Sequence, residues 1–412
     1  MGTLKQVIFS ICPLLVFFVT TLNTYAQQKE LRGKVIASES KLALPYVDLS
    51  IPAKGISTIS NEEGIFDLKF SANDISRDSI IFSCVGYKSQ AISVNDALKQ
   101  KDLVIALTES TVALNEVVIK PFSVRGLLDS ISRRNNAAFN SPMKLNGYYR
   151  EFVFTNAKCN EYSDALFEYY YASSLKNTGQ LKITASRCEK AERKNEKNQN
   201  FEAFIDSKIN PDKLFSFSLL ADMIKRFFPD KQLDEYKYNI EGNNINKDLL
   251  ITIYPKAGSE SVYKLQFLTS DDLMLRSYKV EIPANLLKNV KERSMLGIHV
   301  KITAFTFECR YRANDNGIYP YYFRAIKDVK VTGKFLGTVL DQTISQKSEF
   351  IVTKINTKNI SPIAKNEMYK KGNLCDNGVA INTALLKSYN FIPPTKKDSL
   401  AISSIAKDIS EN

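Results

Sequence analysis

The sequence predicts a mostly β protein with some α structure: an N-terminal β-sandwich followed by a larger α+β domain with a curved antiparallel sheet. Short strand-like segments separated by turn residues recur between residues 30 and 120. After residue 260, apolar and charged side chains alternate with a period of two, which predicts an antiparallel sheet with one face buried and the other wet. Two other segments carry apolar residues at helical spacing.

The N-terminus has the pattern of a signal peptide over residues 1–26. Lys5 supplies the positive charge, residues 7–19 are apolar, and small residues precede a cleavage position between Ala26 and Gln27. An uncleaved anchor is the alternative, although the apolar run is short for a membrane span. Ile11 before Cys12 argues against lipidation. We therefore expect export to the periplasm or the periplasmic face of the outer membrane, with no transmembrane segment in the mature chain.

The formal net charge of +12 is spread along the chain. The densest basic run, residues 187–197, is interrupted by three glutamates, and such mixed charge is typical of a solvated loop. Together with the predicted export, this pattern argues against a nucleic-acid partner.

Seven short strands are predicted in the N-terminal module. In the second of them, Tyr46 and Asp48 face one way while Val47, Leu49 and Ile51 face the other. Residues 61–64 form a turn in which Gly64 takes the left-handed conformation. Many short strands in succession, with no intervening segment that has apolar residues at helical spacing, predict a β-sandwich.

Five motifs in order carry a resemblance: Gly33-Lys34-Val35, Leu44-Pro45-Tyr46-Val47, residues 55–66, residues 78–88 and residues 114–119. Over residues 29–120 the chain resembles the carboxypeptidase-regulatory-like domain of Gram-negative envelope proteins, a transthyretin-like sandwich that also precedes the plug of TonB-dependent receptors. Asn61 stands where the family usually has Asp. The resemblance implies a domain at 27–120 and no peptidase activity.

A helical linker is predicted over residues 121–146. Pro121 ends the module, and Ser123 caps a helix over residues 124–138. The remaining residues, 147–412, form the α+β domain. A TonB-dependent receptor would require a plug and a large barrel, which exceed the roughly 290 residues that remain.

Within this domain, Phe305, Phe307, Cys309 and Tyr311 share one strand face, opposite charged neighbours. One helix is predicted from Pro211 to residue 228, before Pro229. The pattern weakly resembles the half-barrel of periplasmic lipoprotein carriers, with an unclassified α+β domain as the alternative. The whole chain also resembles proteins in which this module precedes a Gly-Tyr-Tyr-Arg-Glu stretch, here residues 147–151, and that resemblance implies no activity.

Catalytic candidates are few. His299 is the single histidine, and any Ser-His-Asp or Cys-His arrangement would require it; we expect it at an exposed or edge position of a strand. The acid pairs 62–63 and 271–272 fall in turn-like segments. The sequence therefore predicts no catalytic residue, no metal site and no cofactor. The disulfide pairing of the mature cysteines stays open, and these are Cys84, Cys159, Cys188, Cys309 and Cys375.

Clustered aromatic residues are the best candidates for a recognition surface: Tyr169, Tyr171, Tyr319, Tyr321 and Tyr322. Exposed tyrosine rings bind sugars or protein partners. Packing of the same rings within the sheet is the alternative explanation.

These observations lead to a functional hypothesis. We expect a non-enzymatic envelope protein that acts as a binding or scaffold component, with another envelope protein or a hydrophobic or glycan ligand as its partner. A periplasmic carrier of lipid or another hydrophobic ligand is the first alternative. A hydrolase whose site is not visible in the sequence is the second.

Overall fold

The computed structural model describes residues 28–71, 78–110, 115–116, 123–136, 141–172, 179–191, 211–243, 248–314, 317–335, 337–370, 374–382, 385–386 and 389–410. The predicted signal peptide, its cleavage position between Ala26 and Gln27, and Pro121 lie outside these residues. The helices are α1 (Val94–Leu98), α2 (Val124–Asn136), α3 (Pro211–Phe217), α4 (Leu220–Phe227) and α5 (Lys396–Ser410).

The strands are β1 (Gln28–Ala37), β2 (Asp48–Ile51), β3 (Ile56–Ile59), β4 (Ile65–Ser71), β5 (Ser79–Ser83), β6 (Gln90–Ser93), β7 (Leu103–Leu107), β8 (Asn115–Glu116), β9 (Met143–Thr155), β10 (Lys158–Tyr171), β11 (Gln180–Lys190), β12 (Tyr236–Asn243), β13 (Asp248–Pro255), β14 (Lys264–Ser270), β15 (Leu275–Glu281), β16 (Arg293–Met295), β17 (Ile298–Asn314), β18 (Gly317–Phe335), β19 (Thr338–Asn356) and β20 (Val379–Ala380). This mostly β architecture confirms the predicted fold class.

The N-terminal module contains two facing sheets, β4-β1-β7 and β3-β2-β5-β6. Its core includes Val47, Leu49 and Ile51, so the predicted inward face of β2 is confirmed. Gly64 has φ +74°, and a Cβ there would lie 2.5 Å from the carbonyl oxygen of Val35, which explains why the turn requires glycine. The short helix α1 was not expected from the strand pattern.

The second unit is a large curved sheet in the order β20-β11-β10-β9-β19-β18-β17-β15-β14-β13-β12-β8, with β16 paired to β17. Neighbours along this path are antiparallel, except that β11 and β20 are parallel. The first long strand of this sheet, β9, begins at Met143, four residues before the predicted start of this domain. Residues 115–116, expected in the sandwich, instead pair with β12 at the edge of the large sheet.

One face of the large sheet is apolar. Phe167, Phe350, Phe323, Phe307 and Phe267 come from five different strands, and each is at most 1% exposed. The helices α2, α3 and α4 cover this face. Ser123 caps α2 as predicted, since its Oγ accepts a hydrogen bond from the backbone N–H of Gly126 at 3.0 Å.

The structure divides the single helix that was predicted over residues 211–228. α3 ends at Phe217 and α4 starts at Leu220. The phenol hydroxyl of Tyr278 donates to the carbonyl oxygen of Phe217, and that of Tyr311 donates to Ser218 O at 2.5 Å. Because these sheet side chains bond the backbone carbonyls at the break, the helix ends there without unsatisfied buried acceptors.

The opposite face of the sheet is charged, and the sequence predicted that it would be wet. This prediction is wrong over the middle of the sheet, where the N-terminal module and α5 cover it. Arg150 on this face is 3% exposed and Glu349 is 2% exposed. Alternation therefore identified the two faces correctly, but it did not reveal that a second domain packs on the charged one.

The C-terminal segment returns to the sheet and is attached by a disulfide between Cys188 of β11 and Cys375. Cys84, Cys159 and Cys309 are free thiols. α5 then packs against the sheet through Ile405, which contacts the cluster that contains Phe152 and Tyr162. Within the described residues, no helix is long and apolar enough to cross a membrane.

We expect the Cys188–Cys375 bridge to be a major contributor to stability. It closes a chain separation of 187 residues, and the loop-closure model assigns about 5 kcal/mol to a loop of that length. Replacing both cysteines by serine should lower the free energy of unfolding by up to this amount in a urea titration. Cys84→Ser, which removes a free thiol, is the matched control and should have a much smaller effect.

Candidate functional site

The five candidate recognition tyrosines lie in the interior, each at most 7% exposed. Tyr169 stacks on Phe215 of α3 with 4.8 Å between ring centroids, and its ring is 6.2 Å from that of Tyr171. Tyr319, Tyr321 and Tyr322 lie on β18. In this conformation, the rings contact the protein's own residues and present little surface to a ligand.

Two of these rings lie beneath the N-terminal module. Tyr322 stacks on Tyr46 with 5.9 Å between centroids, and the guanidinium of Arg312 lies 4.0 Å above the ring of Tyr321. Tyr321 sits at a β-bulge, where the register between β17 and β18 shifts. The structure thus brings this part of the aromatic run to the contact between the two units, while Tyr169 lies under α3 and Tyr171 lies beside Tyr169.

His299 lies on β17 at the edge of the molecule, with its side chain 44% exposed. Ser294 Oγ and Glu292 Oε1 both approach the same ring nitrogen, Nδ1, at 2.9 Å. A nucleophile–base–acid relay needs the acid on one ring nitrogen and the nucleophile on the other. These three residues therefore have the right chemical types, but their geometry is not that of a relay.

The two acid pairs have structural roles at their turns. Asp272 accepts from Ser270 Oγ at 2.5 Å and pairs with Arg134, and these contacts lower the pKa of its carboxyl group. Glu63 accepts a hydrogen bond from the backbone N–H of Lys396 at 3.2 Å. Among the residues that the structure describes, no cluster of three His, Cys, Asp or Glu side chains could hold a metal ion.

The most distinctive feature of the charged face is a row of charges, one on each of seven neighbouring strands. Strand register places them directly opposite each other, and their signs alternate. We call this row the charge ladder, and it consists of Arg187, Asp164, Arg150, Glu349, Arg324, Glu308 and Lys279. Because opposite charges on facing strands attract, the ladder favours this register over its alternatives.

Arg150 is at the centre of the ladder. Its Nε donates to Glu349 Oε1, its Nη1 donates to the carbonyl oxygen of Ile392 at 2.9 Å, and its Nη2 lies 4.0 Å from Asp398 Oδ2. Burial alone would lower the pKa of this guanidinium, but Glu349 and the other groups around it raise the pKa instead. The buried cation is therefore fully compensated, as a desolvated charge must be.

A second buried centre surrounds Asp164, which has no exposed surface. Arg187 donates to it through Nε at 3.0 Å and Nη2 at 2.7 Å, in a bidentate arrangement. The hydroxyls of Tyr148 and Tyr162 donate to the same carboxylate at 3.1 and 3.0 Å. Arg187 was predicted in a solvated loop, and this prediction is wrong because the residue lies on β11.

The N-terminal module contacts the charge ladder through Glu62. This carboxylate accepts from Arg324 at 2.5 Å, from Lys347 at 2.9 Å and from the hydroxyl of Tyr46 at 2.7 Å. Although partial burial opposes the effect, these hydrogen bonds and charges lower the pKa of Glu62 to about 2. The turn acid of the module is thus the principal ionic contact with the sheet.

Tyr46 and Asp48, just before and at the start of β2, supply further contacts between module and sheet. Asp48 pairs with Arg312, and the backbone carbonyl of Tyr46 accepts from Arg310. The guanidinium of Arg324 lies 4.6 Å above the ring of Tyr46. Tyr46 and Asp48, which the alternation predicted to face away from the sandwich core, therefore contact the large sheet.

Residues 389–398, which we call the C-terminal clasp, join the module to the sheet from the other side. Asn390 hydrogen-bonds both backbone groups of Lys69, at 2.7 Å to the N–H and 3.0 Å to the carbonyl oxygen. Asn61 donates to the carbonyl oxygens of Pro393 and Pro394 at 3.2 and 3.4 Å. Asn61, the departure from the family pattern, has amide protons to donate here, which an aspartate would lack.

Sequence reasoning missed this site, although part of the signal was present. The stretch at residues 147–151 was noted only as a similarity. Its Gly147 packs so closely that a Cβ would lie 2.0 Å from the carbonyl oxygen of Ile351, and Arg150 follows in the same strand. The same strand carries three consecutive apolar residues, 152–154. Because arginine is seldom fully buried unless it is paired, an arginine in such a strand indicates a buried ion pair.

Comparison with known proteins identifies the small sandwich. The seven-stranded module with its two facing sheets carries the predicted order of motifs, and residues 31–119 match the family model described as the CarboxypepD_reg-like domain. These residues therefore form a domain of that family, as the sequence motifs implied. No curated protein sequence matches the chain.

Three solved structures are similar to this chain over more than half of its length. A lipovitellin structure titled for its lipid–protein interactions has a TM-score of 0.25 at 9% identity, covering 63% of this chain and 29% of that chain. A putative outer membrane lipoprotein-sorting domain from Vibrio parahaemolyticus has a TM-score of 0.23 at 9% identity, covering 58% and 94%. A LolA superfamily protein from Nitrosomonas europaea has a TM-score of 0.20 at 6% identity, covering 57% and 94%.

The lipoprotein-sorting proteins are of the kind that the strand pattern resembles. TM-scores this low carry no argument about the second unit.

We expect Arg150 and Glu349 to be strongly coupled. Arg150→Met should lower the free energy of unfolding by about 3–5 kcal/mol because Glu349 is left buried without its partner. The double variant Arg150→Met/Glu349→Leu should lose much less than the sum of the two single variants in a urea titration.

Arg276→Met is the control for this cycle, since its ion pair with Asp248 is half exposed and worth at most about 1 kcal/mol. Additive losses for Arg150 and Glu349 would contradict the coupling.

Glu62 should make the stability of the protein depend on pH in the acid range. Its pKa is about 2 in the folded protein against 4.5 ordinarily, so its stabilising contribution is present above pH 4.5 and is lost as the pH falls toward 2. The difference in unfolding free energy between wild type and Glu62→Gln should therefore be constant at neutral pH and vanish near pH 2. Tyr46→Phe, which removes one hydrogen bond to Glu62, should move this acid loss to higher pH.

Proposed function

We propose that the chain is a non-enzymatic protein of the cell envelope that acts as a binding or scaffold component in the periplasm or at the outer membrane. The observation that carries this proposal is the way in which its two units are joined. Partly buried ion pairs of Glu62 and Asp48, together with the C-terminal clasp, hold the CarboxypepD_reg-like domain on the charged face of the large sheet, so the two units present one continuous surface. A fixed composite surface suits a scaffold better than a flexible spacer.

Two further observations support a non-enzymatic role. The buried ionisable groups of the charge ladder pair with each other, whereas catalytic groups must face a substrate. His299, the residue on which a nucleophilic mechanism would depend, contacts both of its polar partners through one nitrogen. The predicted signal peptide supports the envelope location.

An activity screen tests the proposal. The purified protein should turn over none of a panel of chromogenic ester, peptide, glycoside and phosphate substrates above the rate of a His299→Ala variant. His299 is exposed, so this variant should fold normally. A turnover that His299→Ala abolishes while leaving the thermal unfolding temperature unchanged would overturn the non-enzymatic proposal and favour a hydrolase.

A carrier of hydrophobic ligands is the second candidate, and the apolar face of the sheet favours it. Helices of only seven and eight residues, α3 and α4, cover much of this face. Phe215 of α3 fills its centre, 4.3 Å from the ring of Phe350 and 4.6 Å from that of Phe167. Displacement of α3 would uncover a continuous apolar surface large enough for an acyl chain.

Native mass spectrometry distinguishes the two candidates. A carrier should retain lipid after purification, and Phe215→Ala should increase the retained fraction because it empties the centre of the apolar face. An apo mass for both wild type and Phe215→Ala would count against a carrier. Phe66→Ala, in the separate core of the N-terminal module, controls for general loosening.

A further inference from the structure

One end of the large sheet carries a groove of about 800 Å³ that is rich in lysine. It lies where β12 begins and β13 ends, between the loop that leads to β14 and the loop that follows β15. Lys237, Lys256, Lys264 and Lys291 line it, and Glu260 is the one acidic residue in its lining. A groove with this excess of cations attracts anions.

Two of these lysines are not neutralised. Lys291 lies 2.7 Å from Glu260, and Lys264 lies 3.3 Å from Glu281. Lys237 instead lies over the ring of Tyr254, 4.9 Å from its centroid. Within the described part of the chain, no carboxylate pairs with Lys237 or Lys256, so their ammonium groups are available to an anionic ligand.

An exposed apolar tip lies beside this groove, in the hairpin of β16 and β17. Met295 is 55% exposed and Leu296 is 74% exposed. Val339, at the start of β19, is 75% exposed, and its hairpin is joined to the tip by the backbone hydrogen bond from Lys334 to Gly297 at 3.2 Å. Large apolar side chains at the apex of a hairpin are costly in water and mark an interaction site.

The groove and the tip belong to the same end of the sheet. Glu281, the last residue of β15, pairs with Thr306, so β17 extends eight residues beyond the end of β15 toward the tip, and Lys291 of the groove precedes Met295 of the tip by four residues. An extended chain covers at most about 14 Å over that length. Arg293 and Lys334 add positive charge close to the tip, where the carboxylates of Glu292 and Asp341 pair with His299 and Lys330.

We propose that this end of the sheet docks on an anionic lipid surface. Met295, Leu296 and Val339 insert among the acyl chains, while Lys237 and Lys256 bind lipid phosphates. A protruding apolar tip has no complementary pocket to fill, and a fluid bilayer is the partner into which it can penetrate. The excess of lysines in the groove matches the negative potential of such a surface. This inference goes beyond the scaffold function and does not depend on it.

Vesicle co-sedimentation tests the docking surface with the chain from Gln27 onward. We expect binding to vesicles of phosphatidylcholine mixed with phosphatidylglycerol, and much weaker binding to phosphatidylcholine alone. Lys237→Gln/Lys256→Gln should weaken binding about fivefold for each lysine. Met295→Ser/Leu296→Ser should weaken it by at least about tenfold.

Two control variants match these changes on the N-terminal module. Leu42→Ser/Val85→Ser removes apolar side chains that are 68% and 62% exposed, and Lys34→Gln/Lys88→Gln removes two exposed lysines. Both should bind as the wild type does. Equal binding to the two vesicle types, or equal losses in the control variants, would overturn the proposal.

A soluble phosphate ester separates the lipid surface from a free ligand. If glycerol phosphate raises the unfolding temperature of the wild type but not of Lys237→Gln/Lys256→Gln, and vesicles fail to bind, the groove is a site for a soluble phosphate and the membrane proposal is wrong. Thermal unfolding of every variant should match the wild type without ligand, because all the changed side chains are exposed.

Discussion

The pairing of Arg150 with Glu349 is the interaction on which the rest of the structure depends. Two charges are removed from water at the centre of a wide sheet, and their desolvation is tolerable only because each finds several partners. Those partners come from neighbouring strands, from the carbonyl of Ile392 and from Asp398 of α5. The buried pair therefore requires the C-terminal segment to return to the sheet.

The charge ladder also explains why the N-terminal domain is attached where it is. Its seven residues comprise four cations and three anions, and Lys347 adds another positive charge beside them. Glu62 of the N-terminal domain and Asp398 of α5 bring carboxylates to these cations. Neither unit alone satisfies the charges of this face, so covering the face and neutralising it occur together.

The two faces of the sheet thus have different consequences for function. The apolar face is filled by the protein's own helices, and the charged face is used for internal attachment. Among the described residues of the large sheet, the rim carries exposed lysines and apolar hairpin residues, and these are available to other molecules.

Local pattern was sufficient for much of the architecture. The alternation in β2 and β17, the left-handed turn at Gly64 and the cap at Ser123 depend on neighbours along the chain, and each was predicted correctly. The motifs of the N-terminal domain were recognisable because turn chemistry and strand period are local properties. Tertiary contacts decided the rest. Arg187 forms a half-buried ion pair because the buried Asp164 lies opposite it on the next strand, and the helix after Pro211 divides because Tyr278 and Tyr311 bond its carbonyls. The charged face looked like a surface in the sequence because alternation reports polarity, whereas burial depends on which distant segment supplies the opposite charge.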